Sequence, residues 1–194
     1  MTSIRPAPHR RALPFLLVAS LLTVTIWTLL RLLLWGIAGP GDIGAATPHV
    51  FVRGLWFDLA VLAWLVAPLL VLSALLPARL RASRFMARLR WGALWLMAAL
   101  LLFGAVSEVV FWEEFSTRFN FIAVDYLIYT QEVIGNIMQS YPVGLIVGGI
   151  ALVAALIVFG MSRLVGFVSA PRRPVVRLAM LAGALALPAA SWHF

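Results

Sequence analysis

Five long apolar runs constrain this chain more than any other feature of its sequence. Each approaches or exceeds the roughly 18–20 residues that a helix needs to cross the hydrocarbon layer of a bilayer. Charged residues make up only 11% of the chain and hydrophobic residues 63%, whereas a soluble domain carries about 25% charged residues. These figures exclude a soluble fold and predict an all-α, polytopic membrane protein, with residues 1–194 forming a single five-span domain. The predicted spans are about 13–36, 51–76, 91–112, 143–161 and 175–192.

The arginines predict how the spans are oriented. Three basic segments, residues 1–12, 77–90 and 162–177, hold twelve of the fifteen arginines and no Asp or Glu. Since positively charged loops stay in the cytoplasm, this distribution places the N-terminus inside the cell and the C-terminus outside. The first apolar run is too long for the apolar core of a signal peptide, so we interpret it as an uncleaved anchor. Topology accounts for the net charge of +8, and nucleic acid is not expected as a partner.

The segment between the third and fourth spans, residues 112–142, is too polar to cross a bilayer. From about 116 to 139 its apolar residues recur at helical spacing, which predicts an amphipathic helix outside the membrane core. The opposite face carries a polar stripe made of Asp125, Tyr129, Glu132 and Asn136. Such a helix is typical of the membrane interface. Two interpretations stay open: a connector packed against its neighbours, or a surface that faces a lipid headgroup or a partner domain.

Four charged residues lie inside or at the edge of the apolar runs: Arg31, Arg53, Asp58 and Glu108. A charge at the bilayer centre costs about 2.5–3.5 kcal/mol on insertion scales, so each needs a partner or a shallow depth. With the orientation above, all four fall in the outer half of the membrane. Arg53 and Asp58 lie about 140° apart around a helix. Contacts between spans are therefore expected instead, such as Arg31 with Asp58 or Arg53 with Glu108.

Two interpretations of these charges stay open. One is structural pairing that fixes the packing of the helices. The other is a polar pocket that binds a lipid headgroup, because the planar fork of arginine suits phosphate. The candidate residues for headgroup binding or for polar contacts between helices are Arg31, Arg53, Asp58, Glu108, Arg118, Asp125, Tyr129, Glu132 and Asn136. No residue is predicted to be catalytic or to bind metal, since cysteine is absent, the three histidines lie in separate segments and no Gly-rich phosphate loop is found.

Two segments resemble a known family. They are EEFSTRFNFIAVDYLIYTQEVIGNIMQSYP at 113–142 and FVRGLWFDLAVL at 51–62, the latter with a Gly-x-x-Phe-Asp-Leu element at Gly54, Phe57, Asp58 and Leu59. Both are similar to the membrane part of bacterial lipoteichoic-acid-synthase-like proteins. These are phosphoglycerol transferases or sulfatase-like enzymes of the alkaline phosphatase superfamily. The likeness covers essentially the whole chain, is specific in 113–142 and is loose elsewhere.

The resemblance implies an extracytoplasmic catalytic domain after the membrane part, in which a metal-activated threonine takes phosphoglycerol from phosphatidylglycerol. That domain, with any divalent metal such as manganese, is not in these 194 residues, so the resemblance assigns this chain no cofactor and no catalytic residue. The implied role is anchoring in the bacterial inner membrane, positioning and presentation of a lipid headgroup. The alternative is a self-contained small helix-bundle protein that acts as a lipid-binding or interaction subunit. Whether the parent enzyme is a transferase or a hydrolase stays open.

Overall fold

The computed structural model describes residues 11–39, 47–120, 130–167 and 173–191. Within these ranges five helices are long and apolar enough to cross a membrane, which confirms the predicted all-α, five-span architecture. The shortest has 18 residues, and at 1.5 Å per residue it covers about 27 Å of the roughly 30 Å hydrocarbon layer. The five are α1 (Phe15–Ala38), α2 (Thr47–Leu75), α4 (Arg84–Phe115), α6 (Val143–Leu164) and α7 (Pro174–Ser191).

A short helix, α3 (Ala78–Arg81), connects α2 to α4. Ser83 caps α4, since its hydroxyl accepts a hydrogen bond of 3.1 Å from the N–H of Met86 and so satisfies one of the unpaired donors of the first turn. The same hydroxyl donates to the carbonyl of Leu80 at 2.7 Å. The connection between α2 and α4 is therefore a tight, hydrogen-bonded turn rather than a slack loop.

Another short helix, α5 (Thr130–Ser140), precedes α6. The sequence predicted one helix over 116–139, but residues 116–120 are not helical and residues 121–129 lie outside the described ranges. The prediction is wrong at its start, because the chain turns sharply where α4 ends at Phe115. The amphipathic character is present in α5, which carries Glu132 and Asn136 of the predicted polar stripe.

The closest packing links the spans in a row, in the order α7, α2, α1, α4 and α6. Along this row α1 and α4 run parallel and the other neighbours run antiparallel. Few apolar side chains of the spans are buried, and many long ones are exposed. A cluster of buried residues lies where α1 meets α4 and is formed by Val18, Ala19 and Leu94. The long apolar side chains on the outer faces are those that lipid is expected to cover, since lipid tails solvate them as well as protein does.

A two-stranded parallel ladder joins the start of α1 to the end of α6. It pairs β1 (Arg11–Leu13) with β2 (Val165–Phe167). The ring of Phe167 lies against those of Phe15 and Trp91, with centroids 5.4 and 4.5 Å away, so α4 begins at this end too. The ladder was not predicted, because three residues are too few to show the alternation that marks a strand.

Basic and acidic residues are separated between the two ends of the spans, that is, along the direction in which the helices cross the membrane. The end that holds the ladder is called the arginine-rich end, and the opposite end is called the acidic end. The described arginines of the arginine-rich end are Arg11, Arg79, Arg81, Arg84, Arg88, Arg90, Arg163, Arg173 and Arg177. The described acids are Asp58, Glu108, Glu113, Glu114 and Glu132, and all of them belong to the acidic half. The segregation predicted from the sequence is thus present in the fold.

Candidate functional site

An ion pair joins α1 to α2 near the acidic end. Nη2 of Arg31 lies 2.7 Å from Oδ2 of Asp58, and only 9% and 15% of the two side chains are exposed. This contact between spans is one of those that the sequence predicted. Arg31 precedes the end of α1 by seven residues, or about 10 Å, so the pair lies below the helix ends. Pairing at that depth neutralises two charges that neither span could bury alone.

Gly54 makes room for this pair. A Cβ atom at position 54 would lie 2.8 Å from Nη2 of Arg31 and closer still to its Nε and Cζ atoms. The guanidinium therefore packs directly on the backbone of α2, an approach that only glycine permits. Gly54 and Asp58 are four residues apart, which places them on one face of the helix. The sequence displayed this spacing, but it did not reveal that an arginine from α1 occupies the space.

A second ion pair lies at the end of α4. Glu108 is buried, with 8% of the residue exposed, and its Oε1 accepts a hydrogen bond from Nε of Arg118. The Arg118 side chain is 52% exposed, so this pair connects the interior to the surface. The contact of Arg53 with Glu108 that the sequence suggested is absent from the described residues, because Arg118 holds the carboxylate and Arg53 is exposed.

A left-handed turn brings Arg118 back to Glu108. Ser116 has φ 51°, a conformation that non-glycine residues adopt uncommonly, and its N–H bonds to the carbonyl of Trp112 at 2.8 Å. The chain then folds over the last turns of α4, where the ring of Phe119 meets that of Phe111 at 5.0 Å between centroids. The turn explains how a residue beyond the helix reaches an acid inside it.

Both ion pairs line one cavity at the acidic end, with a volume of about 300 Å³. The charged cavity, as we call it, lies among α1, α2, α4 and the turn after α4. Its two positive and two negative groups balance, and its other walls are apolar. A few polar groups set in a mostly apolar cavity are typical of a ligand site. The apolar lining residues are Trp27, Leu30, Phe57, Val61, Leu100, Leu101, Gly104, Ala105 and Phe119.

The charged cavity includes four of the nine predicted site residues, namely Arg31, Asp58, Glu108 and Arg118. Of the others, Arg53, Glu132 and Asn136 are exposed and lie outside it. Asp125 and Tyr129 fall outside the described residues. Sequence reasoning missed the aromatic walls: Phe57 was visible in the Gly-x-x-Phe-Asp-Leu element, whereas nothing distinguishes Trp27 from its apolar neighbours.

The surface of the acidic end also carries α5 and the start of α6. Three apolar residues of α5 are exposed, namely Ile134 by 48%, Ile137 by 44% and Met138 by 65%. The Tyr141 hydroxyl donates a hydrogen bond of 3.4 Å to Glu114. Desolvation, together with the carboxylates of Glu114 and Glu113, raises the pKa of Tyr141, so the neutral donor form persists to higher pH than usual.

An apolar groove of about 770 Å³ lies between α2 and α7, lined by residues that include Trp64, Pro68 and Pro188. It contains no ionisable side chain, so it lacks the groups needed to recognise a charged headgroup. No group of three His, Cys, Asp or Glu side chains that could hold a metal ion occurs in the described ranges. The charged cavity is therefore the strongest candidate site.

The fold and the cavity together define a polytopic helical membrane protein in which two ion pairs line a cavity near one end of the spans. No protein-family model, curated protein or solved structure matches the chain significantly. The likeness to lipoteichoic-acid-synthase-like proteins therefore depends on the residues quoted for it and is treated below as a proposal.

Proposed function

We propose that this chain is a membrane domain that binds the headgroup of an anionic phospholipid in the charged cavity. The observation that supports the proposal is the shared position of two ion pairs, Arg31 with Asp58 and Glu108 with Arg118, around one cavity of about 300 Å³. Ion pairs that served only to hold helices together would need neither a common cavity nor a half-exposed residue. Arg118 is that residue, and it links the cavity to the surface.

The charges suit a phosphate that also bears hydrogen-bond donors. Arg118 uses its Nε to bind Glu108, so its terminal nitrogens are available to fork onto phosphate oxygens. The carboxylates of Asp58 and Glu108 accept hydrogen bonds, which the hydroxyls of a glycerol headgroup can donate. Phosphatidylglycerol carries both a phosphate and such hydroxyls, whereas the headgroup of phosphatidylcholine has no donor.

Charge sorting supports an orientation for the domain. Loops rich in arginine remain in the cytoplasm, so the arginine-rich end faces the cytoplasm of a bacterial cell and the acidic end faces outward across the inner membrane. The charged cavity then opens toward the outer leaflet. The exposed apolar residues of α5 fit a helix that lies in the membrane interface, with Glu132 and Asn136 toward water.

In this proposal the domain anchors a lipoteichoic-acid-synthase-like enzyme and presents phosphatidylglycerol to its extracytoplasmic catalytic part, which would transfer phosphoglycerol. The support is the resemblance at 51–62 and 113–142, together with the position of Gly54 and Asp58 of the first segment beside Arg31. Expression of the chain with any coding sequence that follows Phe194 in its gene tests the enzymatic part. Turnover of phosphatidylglycerol is the expected result, and its absence from a folded protein would contradict it.

Lipid binding tests the cavity itself. The full chain in detergent is mixed with equal amounts of phosphatidylglycerol, phosphatidylethanolamine and phosphatidylcholine, and the retained lipid is identified by native mass spectrometry. Wild type is expected to prefer phosphatidylglycerol, and Arg118→Gln is expected to weaken that preference about tenfold, as the loss of a charge-assisted hydrogen bond predicts.

Arg53→Gln is the matched control, because it removes the same charge from the same end but outside the cavity. It is expected to bind like wild type. Equal loss in both variants would mean that surface charge attracts the lipid, and no loss in either would mean that the cavity does not bind it. Both results would overturn the proposed site.

A further inference from the structure

Arg81, the last residue of α3, is buried, and no neighbouring group in the described structure compensates for its charge. The residue is 4% exposed, and Nε, Nη1 and Nη2 of its guanidinium are all buried with no hydrogen-bond partner among the described residues. A guanidinium remains charged in proteins. Burial of an ion is strongly unfavourable unless a counter-charge or hydrogen bonds compensate. The position of Arg81 therefore calls for an anionic acceptor.

No described carboxylate is placed to be that acceptor. Asp58 precedes the end of α2 by 17 residues, and Glu108 follows the start of α4 by 24 residues. These separations are about 26 and 36 Å along the helix axes. The sequence also contains no Asp or Glu from 59 to 107 or after 132. The charged residues that precede and follow Arg81 in this part of the sequence are therefore all arginines.

Arg90 lies next to Arg81 at this end of the fold. Its Nη2 donates a hydrogen bond of 3.0 Å to the carbonyl of Arg81. Arg90 is partly exposed, so it forms the accessible side of the pair.

We infer that Arg81 and Arg90 bind a phosphate group at the arginine-rich end, supplied by the headgroup of an anionic phospholipid. Two neighbouring like charges repel each other unless an anion lies between them. α2 ends at Leu75 and α4 begins at Arg84, so the site is level with the lipid phosphates where the spans leave the hydrocarbon layer. Basic pockets between spans bind anionic headgroups in this way. The site is at the opposite end from the charged cavity and does not depend on the proposed function.

The test is lipid retention by the full chain in detergent, measured by native mass spectrometry with equal amounts of phosphatidylglycerol and phosphatidylcholine. All samples carry Arg118→Gln, so binding at the charged cavity is reduced and the two sites are read separately. Arg81→Gln is expected to lower the retention of phosphatidylglycerol about tenfold relative to that background. The matched control Arg79→Gln, an exposed arginine of the same short helix, is expected to leave retention unchanged.

Equal retention by all three proteins, or equal losses in the Arg79→Gln and Arg81→Gln samples, would overturn the inference. A parallel sample with inorganic phosphate separates the two sources of the ligand: displacement of the lipid by phosphate supports the shared phosphate site, and retention in its presence supports the headgroup specifically. If Arg81→Gln does not fold, hydrogen exchange of the Arg118→Gln protein decides. Protection of residues 77–90 by phosphatidylglycerol supports the site, and unchanged exchange there contradicts it.

Discussion

Neutralising Asp58 should expose how much the Arg31–Asp58 pair contributes to the membrane fold. Asp58→Asn changes the charge at nearly constant volume. It leaves Arg31, whose side chain is only 9% exposed, without a counter-charge inside α1 and α2. Breaking a buried pair from one side costs about 3–5 kcal/mol, and the asparagine carbonyl still accepts one hydrogen bond, so the lower figure applies. For a chain of this length about 3 kcal/mol corresponds to a fall in Tm of roughly 6–12 °C.

The assay is thermal unfolding of the purified chain in one detergent, followed by intrinsic tryptophan fluorescence. Glu113→Gln is the control, because it removes an exposed acid from the same end and should change stability by less than about 0.5 kcal/mol. The double variant Arg31→Met with Asp58→Leu should recover most of the loss, since apolar replacement of both partners is often neutral. An unchanged Tm for Asp58→Asn, or a double variant as unstable as the single one, would refute the reasoning.

Two further substitutions test the packing around α1. Gly54→Ala places a Cβ against the Arg31 guanidinium and should cost about 1–3 kcal/mol of stability. Gly92→Ala adds a Cβ that meets no atom within 4 Å and should not lower the Tm. Similar melting curves for the two variants would contradict the close approach of Arg31 to Gly54. Leu94→Ala removes a side chain that is 0% exposed and should cost about 2–4 kcal/mol of stability. Leu96→Ala, at a position of the same helix that is 52% exposed, should cost far less. Comparable losses of stability in chemical denaturation would argue against the order of helices in the row.

Much of the fold could be predicted because the bilayer imposes simple rules. The length of each apolar run fixed the number of spans, and the absence of acids near the arginines predicted how charge is sorted between the ends. Arg31 and Asp58 were expected to meet, since a charge inside an apolar run needs a partner. The boundaries were less accurate: α4 begins at Arg84 rather than near 91, because arginine is a good helix former whose long side chain can reach the interface.

The rest depends on tertiary contacts that leave no local pattern. Arg118 reaches Glu108 only because the backbone is left-handed at Ser116. A serine in the sequence does not indicate that conformation, whereas a glycine would have suggested it. The four-residue spacing of Gly54 and Asp58 was visible in the sequence. The side chain that packs on Gly54, however, is that of Arg31, which belongs to another helix. The order of the spans in the row was equally hidden, because apolar residues surround every span and no face is marked as the packing face.

The central claim is that the acidic end, with the charged cavity, faces outward, and single-cysteine labelling tests it most directly. The chain has no cysteine of its own, so Glu132→Cys and Arg79→Cys each introduce one thiol at an exposed position on opposite ends. An impermeant maleimide is applied to intact bacterial cells with the outer membrane permeabilised, and again after lysis. The account predicts that position 132 is labelled in intact cells and position 79 only after lysis. The reverse pattern would contradict the orientation and the outward opening of the cavity.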